Sequence, residues 1–165
     1  MTIATEKGST TQVYRVFIKA SAQAVWDAIT KSEWVERYGY GGRAEFDLRP
    51  GGAYRAFASD AMKAYGSPDV IIVGEIVEAD PPRRLVQTWH PVWDPQSEAE
   101  PPTRLTWEID EQPSGMTRVT VVHDVAGAPG VARMVAGEVA DAGGGWSYVL
   151  SDLKTLLETG TSMGA

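Results

Sequence analysis

The chain has 165 residues, 43% of them hydrophobic and 22% charged, which is the composition of one soluble globular domain with a real core. A net charge of -7 argues against nucleic acid or an anionic membrane as partner, because both require basic patches. The absence of cysteine excludes disulfides, thiol nucleophiles and cysteine-based metal sites, and no apolar run approaches the roughly 20 residues that span a bilayer.

The N-terminal "MTIATEKGSTTQ" has no apolar stretch of the signal-peptide kind, so the chain reads as cytoplasmic. One domain is expected over residues 12–159, with residues 1–11 and 160–165 as flexible ends. "QVYRVFIKA" alternates, with Tyr14, Val16 and Ile18 on one face and Arg15 and Lys19 on the other, the mark of a half-buried strand. Ser21 offers an N-cap to a helix in which Val25, Trp26 and Ile29 share a face. Thr30 and Glu33 have capping-box spacing for a second short helix, "SEWVERY".

Two strands follow in "GYGGRAEFDLRPGGAYRAFAS", joined at Arg49-Pro50-Gly51-Gly52. "PDVIIVGEIVEADPP" and "RRLVQTWHPVW" supply two more, and "DPQSEAEPP" reads as a polar loop. "TRLTWEIDEQPSGMTRVTVVHD" is a hairpin about Pro113-Ser114-Gly115, with Leu105, Trp107 and Ile109 facing one way and Thr106 and Glu108 the other, and with Val119, Val121 and His123 sharing a face in the second arm. A long helical region broken by glycines closes the chain, and Trp146, Val149, Leu150, Leu153, Leu156 and Leu157 form its apolar stripe. Antiparallel strands bracketed by helices make an α+β fold, and the concave face of a curved sheet is the surface able to bury such a stripe.

Gly143, Gly144 and Gly145 stand before that stripe, where a phosphate loop would place its glycines. Trp146 and Ser147 follow instead of Lys and Ser or Thr, and no strand precedes, so the phosphate reading fails. The glycines instead predict a bend that leaves room for a ligand or for a close ring such as Trp89 or Trp107.

The six tryptophans, Trp26, Trp34, Trp89, Trp93, Trp107 and Trp146, fill a core or wall a pocket. Of the two histidines, His123 points inward, as a core residue or as the polar anchor of a cavity, and His90 falls exposed or at a rim. The spacing of Glu75 and Glu78 is odd, so both cannot face inward on a regular strand, and the acidic residues read as solvated. Neither a Ser–His–Asp set nor a metal-ligand set emerges, and no cofactor or metal is expected.

"ASAQAVWDAIT", "FDLRPGGAYR", "VGEIVEADPPRRLVQTW", "TRLTWEI", "TRVTVVHD" and "GGWSYVLSDLKTLLE" occur in that order. Together they resemble the domain named for activators of the heat-shock-protein-90 ATPase, in the SRPBCC (START-like) superfamily, over roughly residues 12–159. The resemblance implies the helix-grip fold: a seven-stranded antiparallel sheet around a long C-terminal helix, two small helices and an internal hydrophobic cavity. It also implies stand-alone small-molecule binding, within a superfamily of lipid carriers, hormone receptors, polyketide cyclases and proteins that sequester reactive natural products. The insertion "HPVWDPQSEAEPP" and the extra glycines depart from the family pattern, and the insertion brings Trp93 to the expected cavity mouth.

The leading expectation is a monomeric or weakly dimeric binding module for a small, apolar, aromatic ligand, in a carrier or sequestering role. Its expected lining is Trp34, Tyr38, Tyr54, Phe57, Trp89, Trp107, His123, Gly145, Trp146 and Val149. Alternatives are a cyclase- or hydrolase-type enzyme with His123 as general base, and a module that contacts a chaperone.

Overall fold

The computed structural model describes residues 10–140 and 142–164. In chain order the elements are β1 (Thr11–Ile18), α1 (Ala22–Thr30), α2 (Ser32–Val35), β2 (Ala44–Phe46), β3 (Ala53–Phe57), α3 (Asp60–Ala64), β4 (Val70–Asp80), β5 (Arg84–Pro91), α4 (Pro95–Ala99), β6 (Thr103–Glu111), β7 (Thr117–Asp124), α5 (Pro129–Val135) and α6 (Gly145–Thr159). The strands form one seven-stranded sheet in the order β1-β7-β6-β5-β4-β3-β2, and every neighbouring pair is antiparallel. This is the expected α+β helix-grip architecture, with α6 lying across the curved sheet and packing against β1, α1 and α5.

Inward parity is as the alternation predicts. Ile18, Leu105, Trp107, Ile109, Val119 and Val121 are buried beneath the α6 residues Leu150, Leu153 and Leu156. Ser21 caps α1 by accepting from the Ala24 N–H at 3.1 Å. Thr30 does not form the expected capping box. Its hydroxyl donates back to the Trp26 carbonyl at 2.8 Å, and Lys31 opens α2 without a side-chain cap.

A bulge in β4 between Ile76 and Glu78 sets the exposure of its acids. Val77 takes the extra position, so Glu75 and Glu78 both stay in solvent while Ile76 is buried. The polar segment after β5, expected as a loop, contains a helical turn: Pro95 opens α4, and the Asp94 carboxylate accepts from the Ser97 N–H at 2.7 Å. His90, half-exposed, donates from Nε2 to the Glu98 carbonyl at 3.0 Å and ties that turn to β5.

The C-terminal helical region is two helices, α5 and α6, joined by residues 136–144. Glu100 caps α5, its two carboxylate oxygens accepting from the Gly130 and Val131 N–H groups at 2.7 and 3.0 Å. α6 ends at Gly160, whose left-handed φ of 85° and N–H to the Leu156 carbonyl at 2.8 Å close the helix. Of the expected flexible ends, residues 1–9 and 165 lie outside the described residues, and Thr11 already belongs to β1. Beyond α6 the chain folds back, and the Met163 N–H donates to Asp152 Oδ1 at 2.6 Å.

Candidate ligand cavity

The sheet, α6 and the loop after α2 enclose a cavity of about 440 Å³. β3 contributes Tyr54, Ala56 and Phe57 to its wall; β4 gives Ile71 and Ile72; β5 gives Gln87 and Trp89; β6 gives Leu105 and Trp107. α6 closes the other side with Gly145, Trp146 and Val149. One end is lined by the exposed residues Tyr40, Gly41, Arg43 and Ala142, and there the cavity opens to solvent. Trp93, from the insertion, also lines it and is half-buried.

Most of the expected lining is therefore assembled in one place: Tyr38, Tyr54, Phe57, Trp89, Trp107, Gly145, Trp146 and Val149 all face the cavity. The rings brace one another. Trp107 meets Trp146 edge-on at 5.5 Å between centroids, and Trp89 lies 6.4 Å from Trp146. At the mouth, the Arg43 guanidinium lies 3.8 Å from the centre of the Phe57 ring. The Tyr38 hydroxyl donates to the Ala28 carbonyl at 2.9 Å, so its polar end is directed into the fold. Burial raises the phenol pKa of both Tyr38 and Tyr54, and the neighbouring Trp89 indole acts against that rise at Tyr54.

Two expected lining residues lie elsewhere. Trp34 is half-buried on α2, with Arg37 over its ring at 4.6 Å, and it packs against the core from outside the cavity. His123 points inward as its parity predicts, but it is fully buried behind Trp89, whose ring meets it edge-on at 5.1 Å. Both its nitrogens are engaged. The Trp146 indole donates to Nδ1 at 3.0 Å, and Nε2 lies 2.8 Å from the Thr103 hydroxyl, which itself donates to the Trp89 carbonyl at 2.8 Å.

Because an indole can only donate, Nδ1 accepts; the neutral ring then carries its proton on Nε2 and donates it to Thr103. The relay Trp146–His123–Thr103–Trp89 thus pins two cavity walls to one another through a histidine. Burial lowers the His123 pKa to about 4, against a smaller opposing effect of Asp124. With no free lone pair and no face on the cavity, His123 does not fit the expected general base or ligand anchor.

The glycines serve the backbone. Gly145 has φ 68°, and a Cβ there would press into the Val135 carbonyl and come 2.6 Å from the Gly137 nitrogen. A Cβ on Gly143, at φ 86°, would come 2.5 Å from the Tyr40 ring. The room they make is for the end of α5 and for Tyr40, not for Trp89 or Trp107. The Gly145 N–H donates to the Tyr40 hydroxyl at 3.2 Å, and Tyr40 stacks on Tyr148 at 6.0 Å.

Two polar residues of the site escaped the sequence reading. Gln87 is 1% exposed and lines the cavity; its shared parity with Leu85 and Trp89 was the available signal. Asp152, 2% exposed within α6, accepts from the Gly39 N–H at 2.8 Å and from Met163, so it anchors the loop that carries Tyr40. No sequence pattern marks that role. Among the described residues no group of three or more potential metal-ligating side chains converges, and no helix is long and apolar enough to cross a membrane.

The family model described as Activator of Hsp90 ATPase homolog 1-like protein matches residues 19–158. The chain belongs to this family. Solved structures with the same fold include CalU16 from Micromonospora echinospora, 21% identical over 91% of this chain and 77% of that one, with a TM-score of 0.61. An HSP90 activator from Plasmodium falciparum is 19% identical over 90% of this chain and 96% of that one, at a TM-score of 0.63. DynU16, described as a protein of the dynemicin biosynthetic locus, is 23% identical over 93% of this Hsp90-activator-homologue chain, at a TM-score of 0.66, but only 49% of DynU16 is covered. No curated protein sequence matches the chain.

Proposed function

We propose that the protein binds a small, largely apolar aromatic molecule in the helix-grip cavity, as a carrier or sequestering protein. The observation that supports this reading best is a solvent-connected cavity of about 440 Å³ walled by Tyr54, Phe57, Trp89, Trp107 and Trp146. That volume suits a two- or three-ring molecule, and pockets of this size and lining are the usual sites of small ligands. A ligand that buries about 300 Å² of apolar surface gains about 7 kcal/mol before association costs, which caps this contribution at a Kd of about 10 μM and makes weaker, tens-of-micromolar to millimolar binding the expectation unless polar contacts add to it. The biosynthetic-locus description of DynU16 adds the products of such loci to the classes worth testing.

The test is a tryptophan-fluorescence titration with naphthalene, anthracene and fatty-acid probes, run on the wild type and on a variant with a filled cavity. Saturable quenching by the aromatic probes, weakened in the filled variant, supports the reading. A flat response across the panel overturns it. A second reading, action on a chaperone, draws its support from the family description and is tested by adding the protein to a chaperone ATPase assay.

A further inference from the structure

Gln87 sits in the middle of β5, between Leu85 and Trp89 on the inward face. Cross-strand pairing places it beside Ile76 of β4 and Leu105 of β6, so an amide interrupts an otherwise apolar row. It is 1% exposed and lines the cavity. Its Nε2 donates to the Thr88 carbonyl at 3.3 Å. That bond fixes the orientation of the amide, since the nitrogen must be the end that meets a carbonyl. Oε1 then accepts from no donor among the described residues, yet no fully enclosed side-chain polar atom among them lacks a partner. The oxygen therefore reaches cavity space. Of the two buried tyrosine hydroxyls on the wall, that of Tyr38 donates to the Ala28 carbonyl at 2.9 Å and that of Tyr54 lies beside the Trp89 indole.

We infer that the cavity selects an aromatic ligand bearing a hydrogen-bond donor, a hydroxyl or an N–H, which Gln87 Oε1 accepts while Trp89 and Trp107 hold the rings. A pure hydrocarbon would strip water from this oxygen and return nothing to it, and leaving a buried acceptor unmet is costlier than the bond is worth when made. A site built around one such acceptor rejects molecules without the matching donor. The selection acts through polarity rather than size, because Ile76, Leu85 and Leu105 around Gln87 offer only hydrocarbon and the Trp89 indole can only donate.

This inference rests on the binding reading above, and the experiment separates the two. Calorimetric titrations compare 2-naphthol with 2-methoxynaphthalene, which keeps the rings and the oxygen but cannot donate. Wild type is expected to prefer the naphthol by about tenfold, one hydrogen bond's worth. In Gln87→Leu, and in Gln87→Met as a second apolar replacement, the ratio of the two affinities is expected to fall to about one, whatever happens to each affinity. A purely structural role of Gln87 would weaken both probes alike and leave the ratio intact. Equal binding of both probes by wild type, or a preference that survives both replacements, overturns the donor selection and leaves the binding reading standing. Binding of neither probe overturns both.

Discussion

Trp146 donates its indole N–H to Nδ1 of His123 across 3.0 Å, joining the first turn of α6 to the C-terminal end of β7. The imidazole accepts there only while neutral, and burial keeps it so, with a pKa near 4 against an ordinary 6.5. Protonation would set an N–H against an N–H and release the cavity wall.

The sign of the resulting pH dependence follows. In the unfolded chain His123 takes up its proton near pH 6.5, and in the folded protein not until about pH 4. Between these values the unfolded state binds more protons, so stability falls as pH falls, by about 1.4 kcal/mol per unit for this group and about 3 kcal/mol across the window. Urea denaturation at pH 7 and pH 4.5 should show a smaller loss in His123→Gln than in wild type, because the amide accepts from Trp146 without titrating. Equal losses in the two proteins would remove His123 as the cause.

Gly145→Ala should cost about 2 kcal/mol or more, combining a left-handed backbone with a Cβ driven into the Val135 carbonyl. Gly115→Ala is the control: its φ of 89° carries the same backbone penalty, but nothing lies within 4 Å of the new methyl. Denaturation midpoints should separate the two variants. Indistinguishable values would show that the α5 end does not press on Gly145.

Ala56→Phe places a ring in the cavity from a half-buried position on β3. The affinity for any aromatic probe should drop at least about tenfold, because the space is lost, while the sheet register is untouched. The comparison of binding isotherms with thermal melts decides it. Unaltered affinity in a folded variant would place the ligand elsewhere.

Asp152→Asn should loosen the mouth. The carboxylate accepts from both Gly39 and Met163, whereas an amide has one oxygen and sets its NH2 against the other donor. The expected cost is about 1–3 kcal/mol, with faster amide hydrogen exchange at Gly39 as its local sign. Retained protection at Gly39 would show that Asp152 does not hold the loop.

Strand parity carried most of this architecture in the sequence. Val119, Val121 and His123 alternate inward as their spacing requires, and the stripe through Trp146, Leu150 and Leu153 buries against the sheet. What parity cannot supply is depth: His123 and Trp89 share an interior, and only packing decides which of them meets the cavity. Trp34 was misplaced for a similar reason, since the Tyr38–Arg43 stretch after α2 shapes the mouth. Gln87 is legible by parity alone, because nothing in composition separates a polar residue at an inward position from one that faces solvent. The glycine triplet marked a special place correctly, yet its partners, Tyr40 and the end of α5, are more than five residues away in sequence and belong to tertiary structure.

The most direct test is site-resolved. In ¹H–¹⁵N NMR the indole N–H groups of the six tryptophans can be followed separately during a titration with 2-naphthol. The expected result is saturable shifts at the cavity residues Trp89, Trp107 and Trp146, with Trp26 and Trp34, which do not line the cavity, unmoved. Shifts confined to Trp34 or Trp26, or no saturable shift at any indole, would contradict a ligand-binding cavity between α6 and the sheet.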